Sequence, residues 1–454
     1  MDSEKMNVLM ISIDALRADH VGIYGYNKNT TPNIDNFARN SYIFRNAYTM
    51  VPMTHPSLFT FMTGRTPFES RIISNTDIGP SYNNKTLASI LSEYGYDTSA
   101  FVANEAVLSQ GFNTFKFQLF KSYYIDEQGR ELYIQNKESD YEAFMHRAIQ
   151  SIGQNKNKPF FTWIHLMDNH APYYPEEELR CKFNLKYCVE TKKSSAELEN
   201  LRAEYQMCQA TVPKERVELM KALYDGGISS ADTIVGKILE ELRIKGVDKK
   251  TIVIIYADHG EGFDHNYYFS HREVLYNSAI QIPLIIKDPR KVISKRIDRE
   301  VQNADVLPSI LDLLNIPYER NSYTGRSFAS SFYPFPVSLV PGKQDKFHYF
   351  VNSSWTKFAI SNGRYKYIYS LPQSCLNNNQ IEELYDIKED RNESHNLLGK
   401  NAILAKELKQ ALLKYLARYN LPPSINEPSK SLNSTPKSNT EDSIRLEEMK
   451  SMGY

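Results

Sequence analysis

Thr54 lies in the segment VPMTHPSLFTFMTGRTP (51–67), two positions before Pro56 and followed by Ser57, an apolar stretch and Thr63-Gly64-Arg65. A hydroxyl near a helix start, where the helix end favours an anion, reads as a nucleophile. The alternative is an ordinary helix cap, which the Thr-x-Pro-Ser context also fits. Two further polar groups close apolar runs. Asp14 ends NVLMISID (7–14), and Asp258-His259-Gly260-Glu261 follows TIVIIYA. In open parallel sheets ligands bind beyond the carboxyl ends of the strands, so both groups are expected to face one crevice. A strand-end Asp taken alone is more simply a cap or a turn former.

The elements that must position these groups alternate along the chain. Apolar β-branched runs at 7–14, 98–103, 159–166, 251–258 and 282–288 are continuous rather than alternating, which predicts strands covered on both faces and hence a parallel sheet. Helices are expected at 31–41, behind a Thr cap and Pro32, at 85–95, and at 229–246, the last two ending on Gly. The expectation is an α/β architecture with a mostly parallel sheet flanked by helices. Catalytic machinery is assigned to 1–320. The charged, tyrosine-rich stretch 172–223 is read as an insertion over the crevice, either a lid or a solvated excursion. A smaller C-terminal antiparallel α+β unit is expected over 321–420, a Pro/Ser/Asn-rich linker over 421–442 and a short docking helix over 443–454.

The 454 residues are 41% hydrophobic and 24% charged, the profile of a soluble globular chain. Lys+Arg and Asp+Glu are both 54, so no basic excess supports nucleic acid as a main partner. No window approaches the ~18 apolar residues of a spanning helix, so no transmembrane segment is expected. The start MDSEKMNVLM carries no basic leader, which predicts a cytoplasmic protein. Four cysteines, Cys181, Cys188, Cys208 and Cys375, are too few and scattered for a disulfide framework, so reduced thiols are expected. The rival is a Cys181–Cys188 bridge and an oxidising compartment.

Taken together with Leu16-Arg17-Ala18-Asp19-His20, Tyr24-Gly25-Tyr26, HLMDNHAPYYP (165–175), HREVLYNSAIQIPLII (271–286) and ELYDIKEDRNESHNL, these motifs resemble the sulfatase family of the alkaline phosphatase superfamily, over about residues 6–400. The resemblance implies an alkaline-phosphatase-like core. It implies Asp14, Asp258 and His259 as ligands of a divalent cation, with Thr54 at the nucleophile position and its oxygen also a ligand. His170 matches an ester-contacting histidine and His271 an ester-contacting or leaving-group-protonating residue. Arg272 sits near a lysine of many sulfatases. His165, Asp168 and His265 could supply a second metal site, whereas Arg17 and Arg65 read as ties between loops.

Three departures carry weight. Sulfatases of this type have Cys or Ser at the nucleophile, oxidised to an aldehyde, and Thr54 cannot give one. Leu58 replaces an arginine, and Ala15 replaces a second metal-binding acid. Direct attack by a Thr54 alkoxide follows, and with it an expectation of a phosphate ester, a phosphodiester foremost, cleaved by hydrolysis or transferred. The first alternative is a sulfuric ester hydrolase acting on a sulfated glycan or small molecule, and the second a non-catalytic binding protein. The substrate is expected to be a small-molecule, glycan-linked or lipid-linked ester. The mixed O and N ligands suit one Zn²⁺ or Mn²⁺ ion, with Ca²⁺ or Mg²⁺ as alternatives.

Overall fold

The computed structural model describes residues 5–77, 85–103, 108–118, 121–125, 131–135, 138–155, 157–204, 212–291, 294–332, 347–372 and 381–421. The linker and terminal helix expected beyond residue 421, together with Cys208 and Cys375, lie outside them. The main sheet has nine strands: β1 (Asn7–Ile13), β2 (Tyr42–Tyr48), β3 (Asp97–Val102), β4 (Thr114–Phe117), β5 (Phe160–Leu166), β6 (Thr251–Ala257), β7 (Gln281–Ile282), β8 (Leu284–Lys287) and β9 (Lys295–Gln302). Their order is β7-β2-β8-β6-β1-β5-β3-β4, with β9 beside β2. The pairs β1/β5, β1/β6, β3/β5, β3/β4 and β2/β9 are parallel, whereas β7 and β8 run antiparallel to their neighbours.

Every residue of β1, β5 and β6 is buried, the reason these central strands read as unbroken apolar runs. Strand β2 went unread because Arg45 and Asn46 interrupt its run (YIFRNAY). Both reach sideways to Asp298 of β9, Arg45 to its carboxylate at 3.1 Å and Asn46 to its carbonyl at 2.7 Å. The helices include α1 (Pro32–Ala38), α2 (Thr54–Thr63), α3 (Leu87–Glu93), α4 (Glu138–Ser151), α5 (Ser195–Ala203), α6 (Lys214–Ile244) and α7 (Val306–Leu313). Helix α6 starts well before the expected residue 229, because Val217, Leu219, Met220, Ala222, Leu223 and Tyr224 already bury an apolar face. Residues 214–223 are thus core helix rather than excursion.

The preceding stretch carries the short helices Glu177–Arg180 and Cys188–Thr191 and then α5, which is capped by a reciprocal Ser194–Glu197 box. Cys181 and Cys188 form a disulfide across a tight turn that brings their Cα atoms to 4.8 Å, so the reduced-thiol expectation fails for this pair. Spacing alone did not reveal how sharply the segment doubles back. No described helix is long and apolar enough to cross a membrane.

A second, antiparallel sheet follows, β10 (His348–Val351), β11 (Lys357–Ser361), β12 (Tyr365–Ser370) and β13 (Glu382–Asp386), in sequential order, covered by α8 (Ala402–Ala417). This is the mixed α/β core plus smaller antiparallel domain expected. Lys366 of β12 is buried against Glu393 at 2.6 Å, and its ammonium also reaches the Leu275 carbonyl and Asn277 Oδ1 at 2.8 and 2.9 Å. Each side chain of the pair is only 1% exposed. Removing one partner strands a buried charge. Lys366→Met is therefore expected to lower stability by about 3 kcal/mol or more in chemical unfolding; a change below about 1 kcal/mol would place the pair among the weak ones.

Candidate active site

Strands β1 and β6 are parallel neighbours in the register Ile13↔Ala257, so the residues that follow, Asp14 and Asp258, leave the sheet side by side. Ala15, at φ 52°, turns the chain out of the strand, and its N–H donates to Asp258 Oδ1 at 3.0 Å. Asp258 Oδ1 also takes the His259 N–H at 2.8 Å. Gly260 is required at its position, since a Cβ there would overlap the Ser278 carbonyl.

Thr54 opens α2, ten residues long and buried throughout. Its Oγ1 lies 3.3 Å from Asp14 Oδ2 and 3.2 Å from His259 Nε2. Ser57, one turn on, donates to the Asp258 carbonyl at 2.6 Å and thereby ties the helix start to the end of β6. His259 Nδ1–H donates to the Gly260 carbonyl at 2.9 Å, which leaves Nε2 as the ring's free nitrogen towards Thr54 and the carboxylates. Leu58, where an arginine was the family expectation, is fully buried in the hydrophobic core.

Asp14, Asp258 and His259 each offer a ligand atom within 4.8 Å of the others, and among the described residues this is the group that could hold a metal ion. The donor set fits a divalent cation on independent grounds. Asp14 Oδ1 and Asp258 Oδ2 are buried without a hydrogen-bond partner, as is Asn169 Oδ1, and such acceptors are costly to leave unpaired. Burial opposes ionisation of Asp14, but His170, His165 and His259 hold it well below the usual carboxylate range. Burial and then Asp14 raise Asp258 to about 6. A cation held by the two carboxylates would relieve that repulsion.

Asp258 ionises above a folded-state pKa of about 6, against an ordinary 3.8. Its contribution to the stability of the metal-free chain is therefore full below the ordinary value and lost as pH rises through about 6. Protons compete with the cation in the same window. Calorimetric metal titrations are expected to give at least about tenfold weaker binding at pH 5 than at pH 7.5; equal affinity at the two pH values would exclude Asp258 as a titrating ligand.

His259, His271 and His170 form a row of imidazoles at the site. His271 stacks on His259 with ring centres 3.9 Å apart, and His170 lies 6.2 Å from His271. Burial, with His259 next to it, holds His271 down to about 4, so the ring is uncharged at neutral pH. Arg272 follows His271, its carbonyl bonded to the Ser353 N–H of the smaller domain at 3.1 Å. The structure does not assemble the second metal site. His165, on β5, has Nε2 3.3 Å from Asp14 Oδ2, while Asp168 turns away to Tyr141 and Ser230 and His265 occupies a hairpin turn bonded to Asp264 and the Glu393 carbonyl. Arg17 is a tie between loops, bonded to Asp19, Asp264 and the Glu261 carbonyl.

A sulfatase family model matches residues 6–316. The chain belongs to the sulfatase family. A model of the C-terminal region of N-sulphoglucosamine sulphohydrolase matches residues 264–419 of this chain. An arylsulfatase of Clostridium perfringens is 23% identical over 421 residues, covering 76% of this chain and 86% of the relative. The Δ4,5-hexuronate-2-O-sulfatase of Bacteroides thetaiotaomicron is 26% identical over 444 residues, covering 87% and 85%. A solved structure in complex with its substrate D-glucosamine-2-N,6-O-disulfate shares the fold at TM-score 0.73 and 19% identity, covering 93% of this chain and all of that one.

These relatives overturn the expected phosphate ester in favour of the sulfuric ester hydrolase reading. The nucleophile by itself does not choose the ester. Thr54 rules out an aldehyde, but an activated hydroxyl beside a cation can attack tetrahedral sulfur as well as phosphorus. Sequence reasoning also gave no role to Asn169, whose amide nitrogen holds the Asp14 carbonyl at 2.7 Å, or to Glu261, Tyr173 and Arg202, which fix the segment bearing His271. Asn169 and Glu261 stood inside the motifs already singled out, whereas nothing in the insertion marked Arg202.

Proposed function

We propose that this sulfatase hydrolyses a sulfate monoester of a sugar by direct attack of Thr54 Oγ1 on sulfur. The observation that carries the reading is the seat of that hydroxyl, 3.3 Å from Asp14 Oδ2 and 3.2 Å from His259 Nε2, beside carboxylate oxygens with no other partner. Asp14, Asp258 and His259 would hold the cation, which when bound neutralises charge on the sulfuryl oxygens and acidifies the nearby hydroxyl. His271 accepts the Thr54 proton as an uncharged base and returns it to the departing sugar oxygen as the S–O ester bond breaks. Water then attacks the sulfur of the Thr54 sulfate ester, His271 takes a proton from that water, and Thr54 regains its hydroxyl as sulfate leaves. His170 and Arg272 are assigned to holding the ester.

The mixed oxygen and nitrogen set favours Zn²⁺ or Mn²⁺; one equivalent of tightly held Ca²⁺ in elemental analysis would overturn that choice. The Cys181–Cys188 bridge favours an oxidising compartment over the cytoplasm. The relatives' names carry the choice of a sulfated sugar. The test is ion-chromatographic sulfate release from N-, 2-O- and 6-O-sulfated glucosamine and uronate saccharides, and from an aryl sulfate, by metal-replete protein. Release from at least one saccharide, with solvent ¹⁸O entering sulfate rather than the sugar, is expected. No release from any of them sinks the reading.

A further inference from the structure

Glu261 directly follows the metal-binding stretch and is 1% exposed. Its Oε2 accepts the Tyr173 hydroxyl at 2.7 Å, its Oε1 accepts the Gly262 N–H at 3.1 Å, and its carbonyl accepts from Arg17 at 3.0 Å. Oε1 also lies 3.3 Å from His271 Nδ1. A carboxylate that already receives donors on both oxygens is an acceptor, so the ring nitrogen facing it must carry the hydrogen. The opposite nitrogen, Nε2, then keeps its lone pair.

Two further contacts hold the ring and the chain that carries it. His259 stacks on the ring. Arg202, from α5 of the insertion and 5% exposed, sends Nε and Nη2 to the Phe269 carbonyl at 3.2 and 2.8 Å, two residues before His271. Phe269 has φ 60°, a conformation that a bulky residue adopts only when its surroundings impose it. Tyr173 belongs to the loop that also carries His170, three residues earlier. The grip on His271 thus comes from the loop after β5, from the stretch after β6 and from the insertion.

We propose that Glu261, itself oriented by Tyr173, is a positioning residue that fixes His271 with Nδ1–H towards the carboxylate and Nε2 towards the reacting ester. The inference rests on the sulfate-ester reading above. When Nε2 takes the Thr54 proton, the ring becomes a cation with Glu261 as its counter-ion, and Nδ1 keeps its hydrogen throughout. The proton then passes from Nε2 to the leaving oxygen, so no charge accumulates. This is the logic of a nucleophile, a base and an orienting acid, with each group on a different segment.

The first test compares Glu261→Gln and Tyr173→Phe with the parent on a sugar sulfate, whose leaving oxygen needs a proton, and on an aryl sulfate, whose leaving group needs little help. For Glu261→Gln, kcat on the sugar sulfate is expected to fall about a hundred-fold, with KM within about twofold, bound metal unchanged and a smaller loss, about tenfold, on the aryl sulfate, which needs the ring as base but not as acid. Tyr173→Phe is expected to show the same pattern more weakly, and it serves if Glu261→Gln does not fold. Equal losses on both esters, or losses that track metal content, overturn the proposal.

The second test does not depend on turnover. In ¹⁵N-histidine spectra the His271 resonances, assigned by their absence in His271→Asn, are expected to report the Nδ1–H tautomer and to shift in Glu261→Gln. An Nε2–H tautomer in the parent overturns the positioning role even where sulfate is released. A protein with the Nδ1–H tautomer that releases sulfate from no ester keeps the positioning role and loses the functional reading.

Discussion

Thr54→Ala is expected to reduce sulfate release at least about a thousand-fold, with folding stability nearly unchanged. The hydroxyl is the one group at the start of α2 within reach of both Asp14 and His259, and without it no protein oxygen remains there to form the covalent sulfate ester. Little stability should be lost, because Thr54 makes no capping bond; Met53 precedes it at the cap, and the Ser57 N–H is satisfied by the Met53 carbonyl at 3.0 Å. Thr54→Ser should keep activity within about tenfold, since the nucleophilic oxygen is retained and only a methyl is lost. Sulfate assays alongside metal analysis decide the matter. If Thr54→Ala stays within tenfold of the parent, water rather than Thr54 is the nucleophile and the covalent step must be abandoned.

The second large effect separates activity from stability. Asp258→Asn is expected to abolish tight metal binding and to lower sulfate release at least about a thousand-fold, yet to stabilise the metal-free protein at pH 7.5. In the parent, burial and the charge of Asp14 both oppose ionisation of Asp258. Asparagine removes that repulsion, keeps an acceptor for the Ala15 and His259 N–H groups, and puts a donor where Asp258 Oδ2 lacks a partner. A gain of about 1–3 kcal/mol follows if the new amide hydrogen is satisfied. Chemical unfolding in chelator measures it, and titration of the variant with Zn²⁺, Mn²⁺ and Ca²⁺ measures the metal loss. Unchanged metal affinity would remove Asp258 from the ligand set.

His271 shows how a motif can supply a residue without its role. The sequence resemblance allowed it to contact the ester or to protonate the leaving group. Burial beside His259 leaves the ring uncharged, so it can donate to the leaving oxygen only after it has accepted a proton. In the proposed mechanism that order of events gives Glu261 its role, since a transient imidazolium in a buried site would need a fixed counter-ion.

Much of this architecture was legible in the chain itself. The unbroken apolar runs of β1, β5 and β6 could only be strands covered on both faces, and polar residues at the ends of β1 and β6 pointed to one crevice because parallel strands end on the same side. Asp14, Thr54, Asp258 and His259 stood out through such local signals, and the resemblance to the sulfatase family implied their roles. Other features are properties of how distant segments meet. Strand β2 hid its pattern by bonding sideways to Asp298. The Cys181–Cys188 bridge depended on a turn that brings the two Cα atoms together, and the second metal site that His165, Asp168 and His265 could have supplied does not form, because Asp168 and His265 face other elements. The sequence by itself determined the layered fold and which groups could do chemistry, since burial period and strand-end position are written locally. Only the tertiary structure decided the state of His271, the strain between Asp14 and Asp258, and the hold of Tyr173, Glu261 and Arg202 on the site, because charge, tautomer and orientation depend on neighbours that arrive from remote parts of the chain.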